Sequence, residues 1–131
     1  MRVLALDYGA ARTGVAVSDA TGTIAKPLEV VDRAGTPAGL ERIRALVREQ
    51  GAEQVVVGLP VTLRGERGHQ AQETDEFVRV LRDALDVPVE TYDERITTRI
   101  AAHSPGDAPE DARAAAHLLE SYLAWKSARQ T

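Results

Sequence analysis

The chain has 131 residues, no cysteine and a formal net charge of -4, which fits one compact domain with its own core and leaves no room for two. Without cysteine there is no disulfide, thiolate metal site, iron–sulfur cluster or thiol nucleophile, and the cytoplasm is the expected compartment. The acidic balance excludes a protein that holds nucleic acid by a global basic excess, so any such partner must be held locally. The apolar run at residues 1–6 is too short for a signal-peptide core and no later run approaches a membrane span, so no membrane partner is expected.

Residues 2–8 read as a buried strand, 9–12 as a turn and 13–19 as a second strand with Val15 and Val17 on one side. Their tight spacing predicts a hairpin. After a turn at Thr21 and Gly22, residues 23–31 are a third extended stretch, which tolerates Pro27 only at an edge or a bulge. Thr36 and Pro37 start a helix, Leu40, Ile43, Leu46 and Val47 repeat at helical spacing, and Gly51 ends it. Residues 54–58 are a continuous Val-rich run, the pattern of a central strand covered on both faces and parallel to a neighbour. The aperiodic segment 59–70, rich in Gly and Arg, is predicted to be a loop leaving the carboxyl end of that strand. Phe77, Val78, Leu81 and Leu85 mark a second helix, 87–92 a fifth strand, and Asp93 or Glu94 the cap of a short third helix. Residues 103–108 are a loop, and Pro109 opens a final helix whose apolar face runs from Ala112 to Leu123 and whose end frays after Lys126.

The order β-β-β-α-β-α-β-α-α predicts a single α/β domain over residues 1–131, a five-stranded mixed sheet with helices packed on it. Acidic residues stand at the ends of its core elements: Asp7 after the first strand, Asp93 and Glu94 after the fifth, and Asp111 in the first turn of the last helix. Carboxyl ends of neighbouring parallel strands converge on one edge of such a sheet, and a helix starting above that edge adds a further carboxylate. Carboxylates gathered there repel unless a cation neutralises them. Magnesium or manganese suits oxygen ligands of this kind, and a pair of such ions stabilises both the attacking water and the leaving oxygen of a phosphodiester. Taken singly, each acid also has a structural role to fill: Asp7 as a turn residue, Asp93 as an N-cap, and Glu110 and Asp111 as partners of a helix dipole.

The segment Asp7-Tyr8-Gly9-Ala10-Ala11-Arg12-Thr13-Gly14-Val15-Ala16-Val17-Ser18-Asp19 resembles the opening motif of the YqgF/RuvX family, the Holliday-junction-resolvase-like nucleases of bacteria. Gly58-Leu59-Pro60 with Gly65 and Gly68, then Asp93-Glu94-Arg95-Ile96-Thr97-Thr98, then Asp111 with Ala114-Ala115 and Leu119-Glu120-Ser121-Tyr122-Leu123, resemble its later motifs in order. The resemblance spans nearly the whole chain. It implies an RNase H-like fold and a nuclease dependent on Mg2+ or Mn2+, with Asp7, Glu94 and Asp111 as catalytic metal-holding acids and Asp93 as a possible fourth ligand. It also implies a role in maturing the 5′ end of the 16S ribosomal RNA precursor, with cleavage of Holliday junctions, branched or single-stranded DNA as the competing role.

On that reading a water acidified by the ions is the nucleophile. Arg12 and Arg95, beside the acids in sequence, are candidate phosphate donors, or else partners of those same acids. Arg64, Arg67 and His69 form the best local basic patch, a candidate for backbone binding against the alternative of plain solvated charge. Gly9 and Gly14 are placed where a phosphate could approach the backbone closely, although turn geometry also calls for glycine. His103 and His117 share no ligand spacing with His69, and Tyr122 and Trp125 are expected in the core or an interface. Where relatives commonly read Asn-Met-Asp-Gly, this chain has Thr62-Leu63-Arg64-Gly65, and Ser104-Pro105-Gly106-Asp107-Ala108-Pro109 replaces a basic segment. These departures bear on substrate preference more than on the metal site.

Two other readings compete. An Asp-x-Gly hairpin also opens actin-like ATPases, but those bind nucleotide between two such domains and this length supplies one. A binding domain without catalysis gains nothing from clustered negative charge facing phosphate. A junction resolvase would be a homodimer, whereas an RNA-trimming enzyme can be a monomer.

Overall fold

A computed structural model of the chain describes residues 1–59, 69–93 and 109–129. In chain order these form β1 (Val3–Asp7), β2 (Arg12–Ser18), β3 (Ala25–Asp32), α1 (Pro37–Gln50), β4 (Gln54–Leu59), α2 (His69–Ala84), β5 (Val89–Asp93) and α3 (Glu110–Arg129). The five strands lie in the order β3-β2-β1-β4-β5. The β1–β2 and β2–β3 pairs are antiparallel, while β1–β4 and β4–β5 are parallel. This is the mixed sheet that the sequence predicts. The short helix expected after Asp93 or Glu94 lies outside the described residues.

Alternation along the strands divides the core into two layers. Leu4, Leu6, Val15, Val17, Val55 and Val57 face α1 and α2, where they meet Ile43, Leu46, Phe77 and Leu81. Val3, Ala5, Ala16, Val56 and Tyr92 face α3, against Ala115, Ala116, Leu119 and Tyr122. The central strands β1 and β4 are therefore apolar on both sides, which explains their unbroken Val and Leu runs.

Local chemistry sets the element ends. The Thr36 side chain accepts a hydrogen bond from the Gly39 N–H at 3.2 Å and Pro37 occupies the first turn, so α1 starts where expected. Gly51 closes it with φ 64°, a left-handed conformation that favours glycine. Pro27 sits on the edge strand β3 beside a register shift at Val15/Ala16, as its missing N–H requires. The third strand begins at Ala25 rather than at 23, because Asp19 closes the preceding turn. One of its carboxylate oxygens accepts the N–H groups of Thr23 and Ile24 at 2.8 and 2.9 Å, and the Thr21 hydroxyl donates to the other. The Ile24 bond, followed by those from Thr21 and Thr23, holds this carboxyl far below the usual carboxylate range. The fifth strand begins at Val89 rather than at 87. Pro88 has no N–H to give a ladder, and it contributes its carbonyl to Val55 N–H at 2.9 Å. The last helix runs on to Arg129, whose guanidinium lies 4.7 Å from the Trp125 ring centroid. Among the described residues, no helix is long and apolar enough to cross a membrane.

Candidate active site

The first strand ends on Asp7, paired across the hairpin with Gly14. Since Val3 and Ala5 belong to the α3 layer and Leu4 and Leu6 to the other, alternation turns Asp7 toward α3. Gly14 is on the same face, two residues before Ala16. A β-carbon at Gly14 would overlap the carbonyl oxygen of Asp111 and stand 3.0 Å from the Ala112 nitrogen. The first turn of α3 thus rests directly on the backbone of β2, and the missing side chain is what admits it. Asp7 and Asp111, from opposite ends of the chain, become neighbours of one glycine. The parallel register, with Leu6 beside Val57 and Gly58 beside Tyr92, continues the row with Gly58 on the other side of Asp7.

Asp111 and Glu110 lie in the first turn of α3, where negative charge complements the helix dipole. Arg12, the first residue of β2, reaches Asp111 with its Nε 3.3 Å from Oδ2, and the side chains keep 68% and 40% of their exposure. An ion pair this open to solvent contributes about 0–1 kcal/mol. Arg12 therefore touches an acid, one of the two roles open to it from the sequence.

Asp93 is the last residue of β5, paired with Leu59. Because Tyr92 faces α3, alternation sends Asp93 to the α1/α2 side, two strands from β1, so the sheet does not bring it to the face of Asp7. Glu94, Arg95, Arg64, Arg67 and His103 lie outside the described residues, as does the His69 side chain.

At Gly9 and Gly14 the protein's own backbone fills the space that a side chain would take. A β-carbon at Gly9 would meet the Arg12 carbonyl oxygen at 2.5 Å. The Gly9 N–H donates to Thr13 Oγ1 at 3.4 Å, and that hydroxyl donates back to Gly9 O at 3.3 Å. The space at each glycine is taken by the protein's own carbonyls, in one case to close the hairpin and in the other to seat α3.

Sequence reasoning missed what orients α3. Tyr122 donates to Glu90 Oε2 at 2.6 Å and accepts from Gln54 Nε2 at 3.1 Å, and Lys126 Nζ donates to Gln54 Oε1 at 3.2 Å. Burial first, then the Glu90 carboxylate, push the Tyr122 hydroxyl up to about 12. The legible signal was Gln54 and Glu90, polar residues set in apolar strands. His117 is half-buried, with Nδ1 3.9 Å from Glu120 Oε1.

Among the described residues, no group of three or more His, Cys, Asp or Glu side chains could hold a metal ion. What they bring together is the backbone at Asp7 and at Asp111, each beside Gly14. Two carboxylates are hard oxygen donors, and magnesium is commonly held by one or two of them with substrate phosphates and water filling the remaining positions. The donor chemistry of the pair fits such an ion.

Comparison with known proteins gives a consistent result. The RuvX family model, described as Holliday junction resolvase, matches residues 1–125. A protein of Rubrobacter xylanophilus is 44% identical over 130 residues, covering 93% of this chain and 91% of its own. One of Chloroflexus aurantiacus is 48% identical over 96 residues, covering 73% of this chain and 63% of its own, so the match spans less than two thirds of that relative. Both bear the name "Putative pre-16S rRNA nuclease". Among solved structures, T. thermophilus RuvC in complex with Holliday junction substrate aligns with a TM-score of 0.59 at 21% identity, covering 97% of this chain and 96% of that one. That likeness shows the fold, which is RNase H-like.

Proposed function

The chain belongs to the RuvX family, and from that premise we propose that it is a divalent-metal-dependent nuclease that matures the 5′ end of the 16S ribosomal RNA precursor in the cytoplasm. One observation carries the reading: the backbone contact at Gly14 sets Asp111 beside Asp7 at the carboxyl end of the sheet. A pair of half-buried acids facing a polyanion has little binding value without a divalent cation. With the names borne by the relatives, that arrangement favours phosphodiester hydrolysis over simple binding.

Asp7 and Asp111 would hold Mg2+ or Mn2+, joined by Glu94. When bound, the ion supplies positive charge to the scissile phosphate and acidifies water. The chain supplies orientation. β1 fixes Asp7 within the ladder, and the dipole of α3 and the seat at Gly14 fix Asp111. Arg12 gives a planar guanidinium to a phosphate flanking the scissile one, and Arg95, Arg64 and Arg67 extend the backbone contacts.

The family description favours a second reading, cleavage of Holliday junctions or other branched DNA. The two separate by substrate and assembly, since symmetric cutting of two strands calls for a homodimer and end trimming for a monomer. The test incubates the protein with precursor 16S RNA, a Holliday junction and plain single strands, with Mn2+ and with EDTA, beside a mass measurement in solution. Metal-dependent cleavage of the precursor by a monomer is expected. It should fall by about 100-fold or more in Asp7→Asn and Asp111→Asn, the scale on which a positioned electrostatic group acts in catalysis. Unchanged rates in folded Asp7→Asn remove Asp7 from the mechanism.

A further inference from the structure

The contact between Arg12 and Asp111 has a consequence beyond phosphate binding. Arg12 Nε stands 3.3 Å from Asp111 Oδ2. The guanidinium and a divalent ion carry like charge, so each weakens the hold of the other on this one carboxylate, and a phosphate draws the same guanidinium by opposite charge. The two partners are held unequally. Asp111 sits on a helix turn pressed against Gly14, whereas the Arg12 side chain, 68% exposed, extends from the first residue of β2. If the pair opens, Arg12 moves and Asp111 stays.

Resting on the proposed metal-dependent reading of this site, we propose that Arg12 is an exchangeable counter-cation. It neutralises Asp111 while no divalent ion is bound, and it is displaced by the ion and handed to the nucleic-acid backbone. Metal and phosphate then favour each other through one side chain, because the ion frees the guanidinium and the phosphate holds it away from Asp111. Exposure of the pair makes the exchange easy, since an open ion pair contributes little to stability. The free site avoids an unneutralised pair of acids, and phosphate binding is weakest when no metal is present. Arg12 is thus a positioning residue for Asp111 and a phosphate donor in turn.

Linkage theory makes this measurable without turnover. The factor by which metal tightens nucleic acid must equal the factor by which nucleic acid tightens metal. Two titrations are made on the parent chain, Arg12→Gln and Arg12→Lys: Mn2+ followed by electron paramagnetic resonance, and a fluorescent single-stranded RNA followed by anisotropy with and without Ca2+ in place of the working metal. Without RNA, Arg12→Gln should bind Mn2+ more tightly than the parent, by up to about fivefold, the scale of one exposed ion pair. Its Ca2+-induced gain in RNA affinity should nevertheless be several-fold smaller than the parent's. Arg12→Lys, which keeps the charge, should return Mn2+ affinity to near the parent's.

Weaker or equal Mn2+ binding by Arg12→Gln, or an undiminished gain in RNA affinity, overturns the exchange. A parent that binds no Mn2+ above the level of Asp7→Asn overturns the metal reading and the exchange together. Binding by the parent with an unmoved Arg12→Gln overturns the exchange alone.

Discussion

The two faces of the sheet are built on different principles. Toward α1 and α2 the strands present large aliphatic side chains that meet Ile43, Leu46, Phe77 and Leu81, an area-driven contact with little directional content. Toward α3 they present Ala5, Ala16 and Gly14 to Ala112, Ala115 and Ala116, so the helix lies close. The bonds among Tyr122, Glu90, Gln54 and Lys126 fix its orientation. A non-directional face suffices to hold a fold. A face that, on the proposed reading, presents Asp111 to Asp7 needs close approach and directional bonds, and both occur on the side that carries the acids.

Truncation on the aliphatic face should give the largest loss of stability and the least specific loss of function. Leu81 is fully buried, and Leu81→Ala should cost about 2–5 kcal/mol in urea unfolding. The fraction that remains folded should bind Mn2+ as the parent does. A change in Mn2+ affinity at constant folded fraction would show that the two faces are coupled.

Gly14→Ala tests the opposite face at its tightest point. The added methyl would overlap the backbone of Asp111, which no rotamer change can relieve, and overpacking of this kind costs about 1–3 kcal/mol. Here loss of function should exceed loss of stability: α3 must move off β2 and carry Asp111 with it. The expected result is weakened Mn2+ binding in a chain that still unfolds cooperatively. Parent-like Mn2+ affinity in this variant would mean that the seat of α3 does not set the acid pair.

Tyr122→Phe sharpens the comparison further along α3. Removing the hydroxyl leaves the buried Gln54 amide short of one partner, a cost of about 1–3 kcal/mol, while the exposed Glu90 turns to water. The pH dependence has a definite sign. An unfolded tyrosine ionises near 10, and the folded hydroxyl is pushed up to about 12, so folding favours the protonated form. Its contribution is fully present below pH 10 and is lost as pH rises through 12. Urea midpoints of the parent should fall between those values more steeply than those of Tyr122→Phe, and parallel curves would contradict the assignment.

The same contrast decides how much was legible in the sequence. Strand runs and helix caps follow from local pattern, so β1, β4 and α1 were readable from Val-rich runs, Thr36, Pro37 and Gly51 alone. The ends moved where a side chain or a missing N–H intervened, as at Asp19 and Pro88. Asp7 and Asp111 were legible as acids at element ends, because such positions in an α/β sheet converge. Their shared neighbour was not. Gly14 reads equally as a turn residue, a phosphate approach or a helix seat, and only the fold places Asp111 against it. Asp93, adjacent to Glu94 in sequence, was read as part of the same cluster. Alternation along β5 turns it to the other face, a distinction that depends on where the strand ends.

The smallest effect is expected at the start of α1, remote from the acid pair in its bonding. The Thr36 hydroxyl donates to Arg33 O at 2.7 Å and accepts from Gly39 N–H at 3.2 Å, joining the turn after β3 to the helix. Thr36→Ala removes the cap and should cost about 1 kcal/mol, read as a lower urea midpoint with an unchanged slope. Because this end of α1 belongs to the aliphatic layer, Mn2+ affinity and the Arg12-dependent gain in RNA binding should stay at parent values. A loss of either would show that the two faces are not independent, and that the site draws on the helix start as well as on the seat at Gly14.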